Sequence, residues 1–329
     1  MRLLVTGGAG FMGSEFVRLT LRDHPEDQVL VLDALTYAGN LHNLDDVAGD
    51  PRLRFVHGDV TDARVVDRLA AEADAIVNFA AETHVDRSIE DAGRFIQTDV
   101  FGAHVLMEAA RRHGHERFLQ VSTDEVYGDV PVGRSAETDP LRPRSPYSAS
   151  KAGAEMLVWA YRATHGFPAI VTRGSNTYGP RQFPEKIVPL FITNAIDDLP
   201  LPLYGDGLAV RDYVFVEDHC RAIDVALRTG TPGDDYNIGG GGEHTGVAVA
   251  DAVLAALGKP PSLKRFVEDR PGHDRRYSLD DTRMRRLGWA PRVDFDDGIR
   301  RTVEWYVANA SWWRLLKSGG HLAPCRHNQ

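Results

Sequence analysis

A chain of 329 residues, 43% of them hydrophobic, is long enough for one large domain or two closely packed ones. Its 38 basic and 47 acidic residues leave a net charge of −9, which argues against a nucleic-acid binder. Cys220 and Cys325 form neither a metal-type spacing nor a disulfide framework, and no apolar run is long enough for a membrane span or a signal-peptide core. The expectation is a soluble, cytoplasmic protein.

In chain order, Leu3–Val5 reads as a buried strand, and Met12, Phe16 and Leu19 then recur at helical spacing. Between them lies Thr6-Gly7-Gly8-Ala9-Gly10-Phe11-Met12-Gly13, in which Gly7, Gly10 and Gly13 allow a tight turn and close approach of backbone N–H groups to a pyrophosphate. Val29–Leu32 is the next strand, closed by Asp33. A glycine pattern alone is a common turn. A strand before it, a helix after it and an acid ending the next strand point to a dinucleotide site, with Asp33 on the adenosine ribose hydroxyls. Asp33 would repel a 2′-phosphate, and Ala34 offers no cation to offset it, so NAD is expected rather than NADP. Gly58-Asp59-Val60, after a strand at Leu53–Val56, is placed to reach the adenine.

Further strands are expected at Ala75–Val77, Phe118–Val121 and Ala169–Val171, with helical patterns at Asp62–Ala71 and Val100–Arg112. Continuously apolar strands imply burial on both faces, as in a parallel sheet. The expected architecture is therefore a doubly wound α/β fold of the Rossmann type, with residues 1–174 binding the nucleotide. After Gly174, Pro180, Pro184, Pro189, Pro200 and Pro202 break the rhythm. Residues 175–329 are read as mainly a smaller substrate lobe, with 211–240 returning to the main domain.

Two segments carry chemistry. Ser122-Thr123-Asp124-Glu125-Val126-Tyr127-Gly128 follows the Phe118–Val121 strand, and ligands bind at strand C-termini in such folds. A solvated acidic helix cap is the plainer reading of its two carboxylates. Tyr147-Ser148-Ala149-Ser150-Lys151 puts a tyrosine and one of only five lysines on one helical face. A tyrosine with an ordinary pKa of about 10 needs nearby positive charge to serve as a base. Such a pair is common on solvated helices; behind a dinucleotide loop it becomes a catalytic candidate. His84 and His273 lack companions for a metal set, so no metal is expected.

Together, TGGAGFMGS, LDALTYAGN, AAETHVDRSI, VSTDEVYG, SPYSASK, SNTYGPRQFPEK, LYGDG, VRDYVFVEDH and DRPGHDRRYSLD resemble the dTDP-glucose 4,6-dehydratases, of the extended short-chain dehydrogenase/reductase type, over nearly the whole chain. Thr123-Asp124-Glu125 is the discriminating piece. Related 4-epimerases lack the Asp-Glu pair, and GDP-mannose dehydratases keep only the Glu. The resemblance implies three stages. Tyr147 removes the proton of sugar O4, with Thr123 on that oxygen, while C4 passes hydride to NAD. Glu125 removes the C5 proton and Asp124 protonates the leaving C6 hydroxyl. NADH then returns the hydride to C6, and C5 is reprotonated.

The resemblance also implies cofactor contacts from Gly7, Gly10, Phe11, Met12 and Gly13, then Asp33, Ala34, Leu35 and Thr36. Asp59, Val60, Phe79, Ala80, Ala81, Thr98 and Thr177 complete that set with Tyr147 and Lys151. For the sugar nucleotide it implies Thr83, Thr123, Asn176, Lys186, Ile187, Val188, Pro189, Leu190 and Phe191, with Pro202, Leu203, Tyr204, Arg211, Asp269, Arg270, Pro271, Gly272 and His273. Lys186, Arg211 and Arg270 suit a diphosphate. A homodimer through helices near Val100–Arg112 and Tyr147–His165 is a further implication. Five positions depart from the family pattern: Thr83 for Ser, Asp99 for Asn, Thr177 for a second Asn, Arg181 for an aromatic residue and Gly246 for a nucleotide-contacting Asn. Two other readings stay open: a sugar-nucleotide 4-epimerase, which shares the Tyr-Lys-NAD half reaction, and a non-catalytic nucleotide-sensing Rossmann protein.

Overall fold

The computed structural model describes residues 1–269 and 273–318. The first half alternates strands and helices: β1 (Arg2–Thr6), α1 (Phe11–Asp23), β2 (Gln28–Asp33), β3 (Leu53–His57), α2 (Ala63–Ala70) and β4 (Ala75–Asn78). Two short helices follow, α3 (Val85–Glu90) and α4 (Ala92–Phe95), and then a π-helical turn, Ile96–Phe101, which runs into α5 (Gly102–Arg112). Next come β5 (Arg117–Thr123), a 3₁₀ turn at Asp124–Tyr127, α6 (Pro146–His165) and β6 (Ala169–Gly174). All six expected strand runs fall within strands of the structure; five are short apolar runs buried on both faces, and Leu53–Val56 is the partly exposed edge strand.

The second half holds β7 (Asn176–Tyr178), α7 (Ile187–Ile196), β8 (Leu201–Tyr204), β9 (Val210–Phe215) and α8 (Val216–Thr229). It continues with β10 (Asp235–Ile238), β11 (Glu243–Thr245), α9 (Gly246–Leu257), β12 (Lys264–Val267), α10 (Thr282–Arg286), α11 (Phe295–Ala308) and α12 (Ala310–Lys317).

Seven parallel strands form the main sheet in the order β3-β2-β1-β4-β5-β6-β10. The order reverses between β1 and β4, so a crevice opens there beyond the strands' C-terminal ends. Phe16 and Val17 of α1 pack with Cys220 and Ile223 of α8 on one face of the sheet. Val66 of α2, Leu106 of α5 and Val158 of α6 cover the other. A third apolar core, with Phe191, Leu203, Val253, Tyr306 and Trp313, belongs to the second half. There β9 pairs with β7 and β11, and β8 pairs with β12. Arg211–Phe215 thus lies in the three-stranded sheet, and the chain rejoins the main layer from α8 and β10. No helix of the described residues is long and apolar enough to cross a membrane.

Candidate active site

The glycine loop joins β1 to α1 and is too tight for side chains. Gly7 has φ +68°, and a Cβ there would stand 2.7 Å from the Ala80 backbone nitrogen. A Cβ on Gly13 would lie 2.2 Å from the Gly7 carbonyl oxygen. Asp33, at the end of β2, is buried, and its two oxygens accept the backbone N–H groups of Ala9 at 2.9 Å and Leu35 at 2.8 Å. Burial pushes its carboxyl up from the usual value, against those two bonds. Each carboxylate oxygen retains a further lone pair for a ligand hydroxyl.

Across the switch point, a chain of side chains fixes the strand ends. Thr6 Oγ1 donates to Asn78 Oδ1 at 2.6 Å, and Asn78 Nδ2 donates to Gln120 Oε1 at 2.9 Å. Helix α6 starts with Pro146 at its first turn behind a Ser145–Ser148 capping box, which fixes the entry of the segment that bears Tyr147 and Lys151. Lys151 is buried, and its Nζ donates to the Val121 carbonyl of β5 at 2.8 Å. Burial lowers the Lys151 pKa, while Asp99 and Glu155 oppose that fall.

At the end of β5, Thr123 caps the 3₁₀ turn: its Oγ1 accepts the Glu125 backbone N–H at 3.3 Å. The same hydroxyl donates to Asp124 Oδ1 at 3.2 Å. Asp124 is 3% exposed. Burial, with the Glu125 charge beside it, drives its carboxyl well above the usual range. Such a shift favours the protonated carboxyl, which has the character of a general acid. Desolvation also drives the Tyr147 phenol well above its usual value, and the charges of Glu125 and Asp99 push the same way. Without a ligand, Tyr147 is therefore held as the neutral phenol.

These groups share one cleft of about 310 Å³. Gly7, Gly10, Phe11, Met12, Gly13, Asp33, Ala34, Thr36, Asp59 and Val60 line one end. Phe79, Ala80, Ala81, Thr98 and Thr177 lie along it, with Thr83, Thr123, Asp124, Glu125, Tyr147, Lys151, Asn176 and Lys186. Lys186 precedes α7, and its Nζ donates to the Thr83 carbonyl at 2.6 Å, joining the two halves across the cleft. Ser122 Oγ, Asp124 Oδ2, Ser175 Oγ, Asn176 Oδ1, Gln182 Oε1, Glu185 Oε1 and His219 Nε2 are buried polar atoms of cleft residues that make no hydrogen bond within the described residues. Buried polar groups are normally satisfied, so seven around one cleft mark a site shaped for a polar ligand. A glycine cradle, an acid at the second strand and these atoms fit a dinucleotide beside a polar substrate.

Several expected contacts lie elsewhere. Leu35 takes a left-handed backbone at φ +49° and packs against the core rather than the cleft. Val188, Phe191 and Leu203 are buried in the core of the second half, because the apolar faces of α7 and β8 turn inward. Ile187, Pro189, Leu190 and Pro202 do not line the cleft either. Arg211 lies with its guanidinium 4.2 Å from the Tyr277 ring centre and donates to the carbonyls of Val210 and Asp274. It is near enough to Asp124 to pull against that residue's raised pKa. Tyr204, Asp269 and His273 meet outside the cleft, with His273 Nδ1 2.6 Å from Asp269 Oδ1. Arg270, Pro271, Gly272 and Cys325 lie outside the described residues.

Against known proteins, the GDP-mannose 4,6 dehydratase family model matches residues 4–302. A dTDP-glucose 4,6-dehydratase of an Actinoplanes species is 52% identical over 95% of this chain and 100% of its own. The chain belongs to the dTDP-glucose 4,6-dehydratase family. DesIV, the Streptomyces venezuelae member solved with NAD and TYD bound, superposes with a TM-score of 0.94 at 52% identity, over 96% of this chain and 100% of its own. The Thermus thermophilus UDP-glucose 4-epimerase, solved with NAD, shares the fold at TM-score 0.87 but only 36% identity, over 94% of this chain and 100% of its own.

In this member of the dehydratase family the cleft also uses residues to which sequence reasoning gave no role. Glu82, Gln182, Phe183, Glu185 and His219 all line it. His219 is buried, with Nδ1 2.6 Å from Thr177 Oγ1, and burial lowers its pKa to about 3. Its place in VRDYVFVEDH was visible; its direction was not, since that depends on how α8 packs on α1. Of the departures, Arg181 pairs with Asp46 at 3.1 Å and faces the Trp305 ring. Gly246 opens α9 beside the Gly207 carbonyl.

Proposed function

We propose that this chain converts dTDP-glucose into dTDP-4-keto-6-deoxyglucose with NAD held throughout the cycle. The observation that carries the proposal is the sharing of one cleft by Thr123, Asp124 and Glu125 with Tyr147 and Lys151. An epimerase needs only the second pair.

NAD, when bound, supplies the acceptor for the C4 hydride and returns that hydride to C6. The residues do the proton work. Tyr147 takes the O4 proton, and Thr123 hydrogen-bonds O4. Its neutral phenol must first be poised for deprotonation, for which the Lys151 ammonium is the protein's own aid. Once C4 is a ketone, the C5 proton is acidic enough for Glu125 to remove. Asp124 delivers its retained proton to the departing C6 hydroxyl, which leaves as water, and C5 is reprotonated once C6 has received the hydride. The cycle is redox neutral, so no external electron carrier enters. Asp33 holds the ribose and discriminates against a 2′-phosphate, and the Gly7–Gly13 loop receives the pyrophosphate. Lys186 and Arg211 serve the substrate's diphosphate, with Asn176 and Thr83 near the sugar and Tyr204, Asp269 and His273 toward the nucleotide.

Residues 1–174, together with α8 and β10, are taken as the cofactor domain, and the rest as mainly the substrate lobe. Exposed Ile96, Phe101 and Met156, on the π-helical turn and α6, support a homodimer through these helices. The cytoplasm is the proposed location. The deciding test is incubation with dTDP-glucose and with UDP-glucose, with products read by mass and NMR. A dehydrated 4-keto sugar and a higher kcat/KM for the thymidine nucleotide are expected. A 4-epimer of unchanged mass would overturn the proposal.

A further inference from the structure

Asp99 occupies a position where the family pattern has Asn, in the middle of the π-helical turn Ile96–Phe101. Such turns occur mostly singly inside α-helices, frequently at functional sites. Asp99 is 2% exposed. Its Oδ1 accepts the Glu82 backbone N–H at 2.8 Å, and its Oδ2 lies 2.6 Å from the Ser150 hydroxyl. Ser150 neighbours Lys151, and the same hydroxyl is 2.8 Å from the Tyr147 carbonyl. A hydroxyl has one proton to donate. With Asp99 ionised, the charged acceptor takes it. With Asp99 protonated, the carboxyl donates to Ser150 Oγ, and the Ser150 proton turns to the Tyr147 carbonyl. Both protonation states are fully bonded, so the site accommodates either.

We propose that Asp99 is a positioning residue that sets the ionisation of the Tyr147–Lys151 pair, as the buried countercharge of Lys151 that opposes the Tyr147 phenolate. The proposal rests on Tyr147 being the O4 base. The charged groups around Asp99 are Lys151 on α6 and Glu82 after β4. Lys151 also faces Glu155, and Tyr147 also faces Glu125 and Asp124 of the turn after β5. Burial raises the Asp99 carboxyl to about 6, with Lys151 and Ser150 pulling it down. It therefore changes charge close to neutral pH. Asparagine at the same place has a similar shape and is always neutral.

The test compares native holoenzyme with Asp99→Asn and Ser150→Ala, reading NADH formation on mixing with dTDP-glucose as a function of pH. Loss of the negative charge eases Tyr147 deprotonation. In Asp99→Asn the acid limb should move down by ~0.5–1 pH unit where native Asp99 is ionised, which is ~3- to 10-fold faster oxidation above about pH 6, and the two profiles should converge below it. Ser150→Ala removes a donor that favours the ionised carboxyl, and should move the limb the same way by a smaller step. A readout independent of turnover is the ¹³C carboxyl resonance absent from the Asp99→Asn spectrum, expected to titrate at about 6. An unmoved limb in both variants, or a carboxyl that titrates at the ordinary aspartate value of about 4, overturns the proposal. Tyr147→Phe separates the two readings. If it forms NADH at the native rate, Tyr147 is not the base and the Asp99 proposal falls with it. If it is inactive while the limb stays fixed in Asp99→Asn and Ser150→Ala, only the Asp99 proposal fails.

Discussion

Arg173 donates twice to one oxygen of Glu155, from Nε at 2.9 Å and from Nη2 at 2.7 Å, and neither side chain is exposed at all. The pair ties β6 to α6, the helix that presents Tyr147 and Lys151. The remaining donors of Arg173 reach the Tyr127 hydroxyl at 2.7 Å, the Glu137 carbonyl at 3.1 Å and Asp235 at 3.0 Å. Breaking a buried pair leaves an uncompensated charge.

Arg173→Met is therefore expected to cost about 3–5 kcal/mol in denaturant unfolding. Adding Glu155→Gln, which neutralises the abandoned carboxylate, should recover part of that loss. Equal stability of the single variant and the native protein would show that the network is dispensable.

This network marks the limit of what the sequence alone conveys. The glycine loop, Asp33, Tyr147 with Lys151 and Thr123 to Glu125 are legible because their chemistry depends on short spacings within one strand–helix junction. Arg173, Glu155, Tyr127 and Asp235 come from four separate stretches, and only the parallel pairing of β5, β6 and β10 brings them together. His219 is hidden for the same reason: only the pairing of β7 with β9 brings the first turn of α8, and its imidazole, to Thr177. Ile187–Phe191 shows the same limit within a single motif. Its match to a family motif is real, yet Val188 and Phe191 follow the buried face of α7.

Gly13→Ala should abolish retention of the dinucleotide. The added methyl would sit 2.2 Å from the Gly7 carbonyl oxygen and 2.8 Å from the Gly8 Cα, both backbone atoms that cannot rotate away. Native protein should copurify with NAD(H), or be activated by NAD far better than by NADP. The absorbance of released nucleotide measures both points, and full occupancy in Gly13→Ala would place the pyrophosphate elsewhere.

Acid should destabilise the fold partly through His219. Burial lowers its imidazole from 6.5 to about 3, so the unfolded chain takes up this proton at higher pH than the folded one. Its contribution is complete above pH 6.5 and is lost as pH falls from there toward about 3. The slope is about 1.4 kcal/mol per pH unit. His219→Gln, which has no such proton to gain, should lose less stability than the native protein between pH 6.5 and about 5, by about 1–2 kcal/mol. Parallel unfolding curves for the two proteins across that window would exclude His219 as a contributor.

Glu125→Gln tests the order of the proton steps. The amide keeps the shape of the side chain and removes the base, while Tyr147 and Lys151 remain to support oxidation at C4. Turnover should fall about 10²–10⁴-fold, the usual cost of losing a positioned acid or base. NADH absorbance should still rise on adding dTDP-glucose, to the extent the oxidation equilibrium allows. In native enzyme, deuterium placed at C4 should arrive at C6 of the product, and C5 should acquire hydrogen from solvent. In Glu125→Gln the C5 exchange should fall with the elimination rate while C4 oxidation persists. Asp124 is the one other carboxyl of the segment, and burial beside the Glu125 charge favours its protonated form, which cannot act as the base. Dehydration by Glu125→Gln at the native rate would remove Glu125 from the C5 step and leave the Thr123–Glu125 segment without its assigned chemistry.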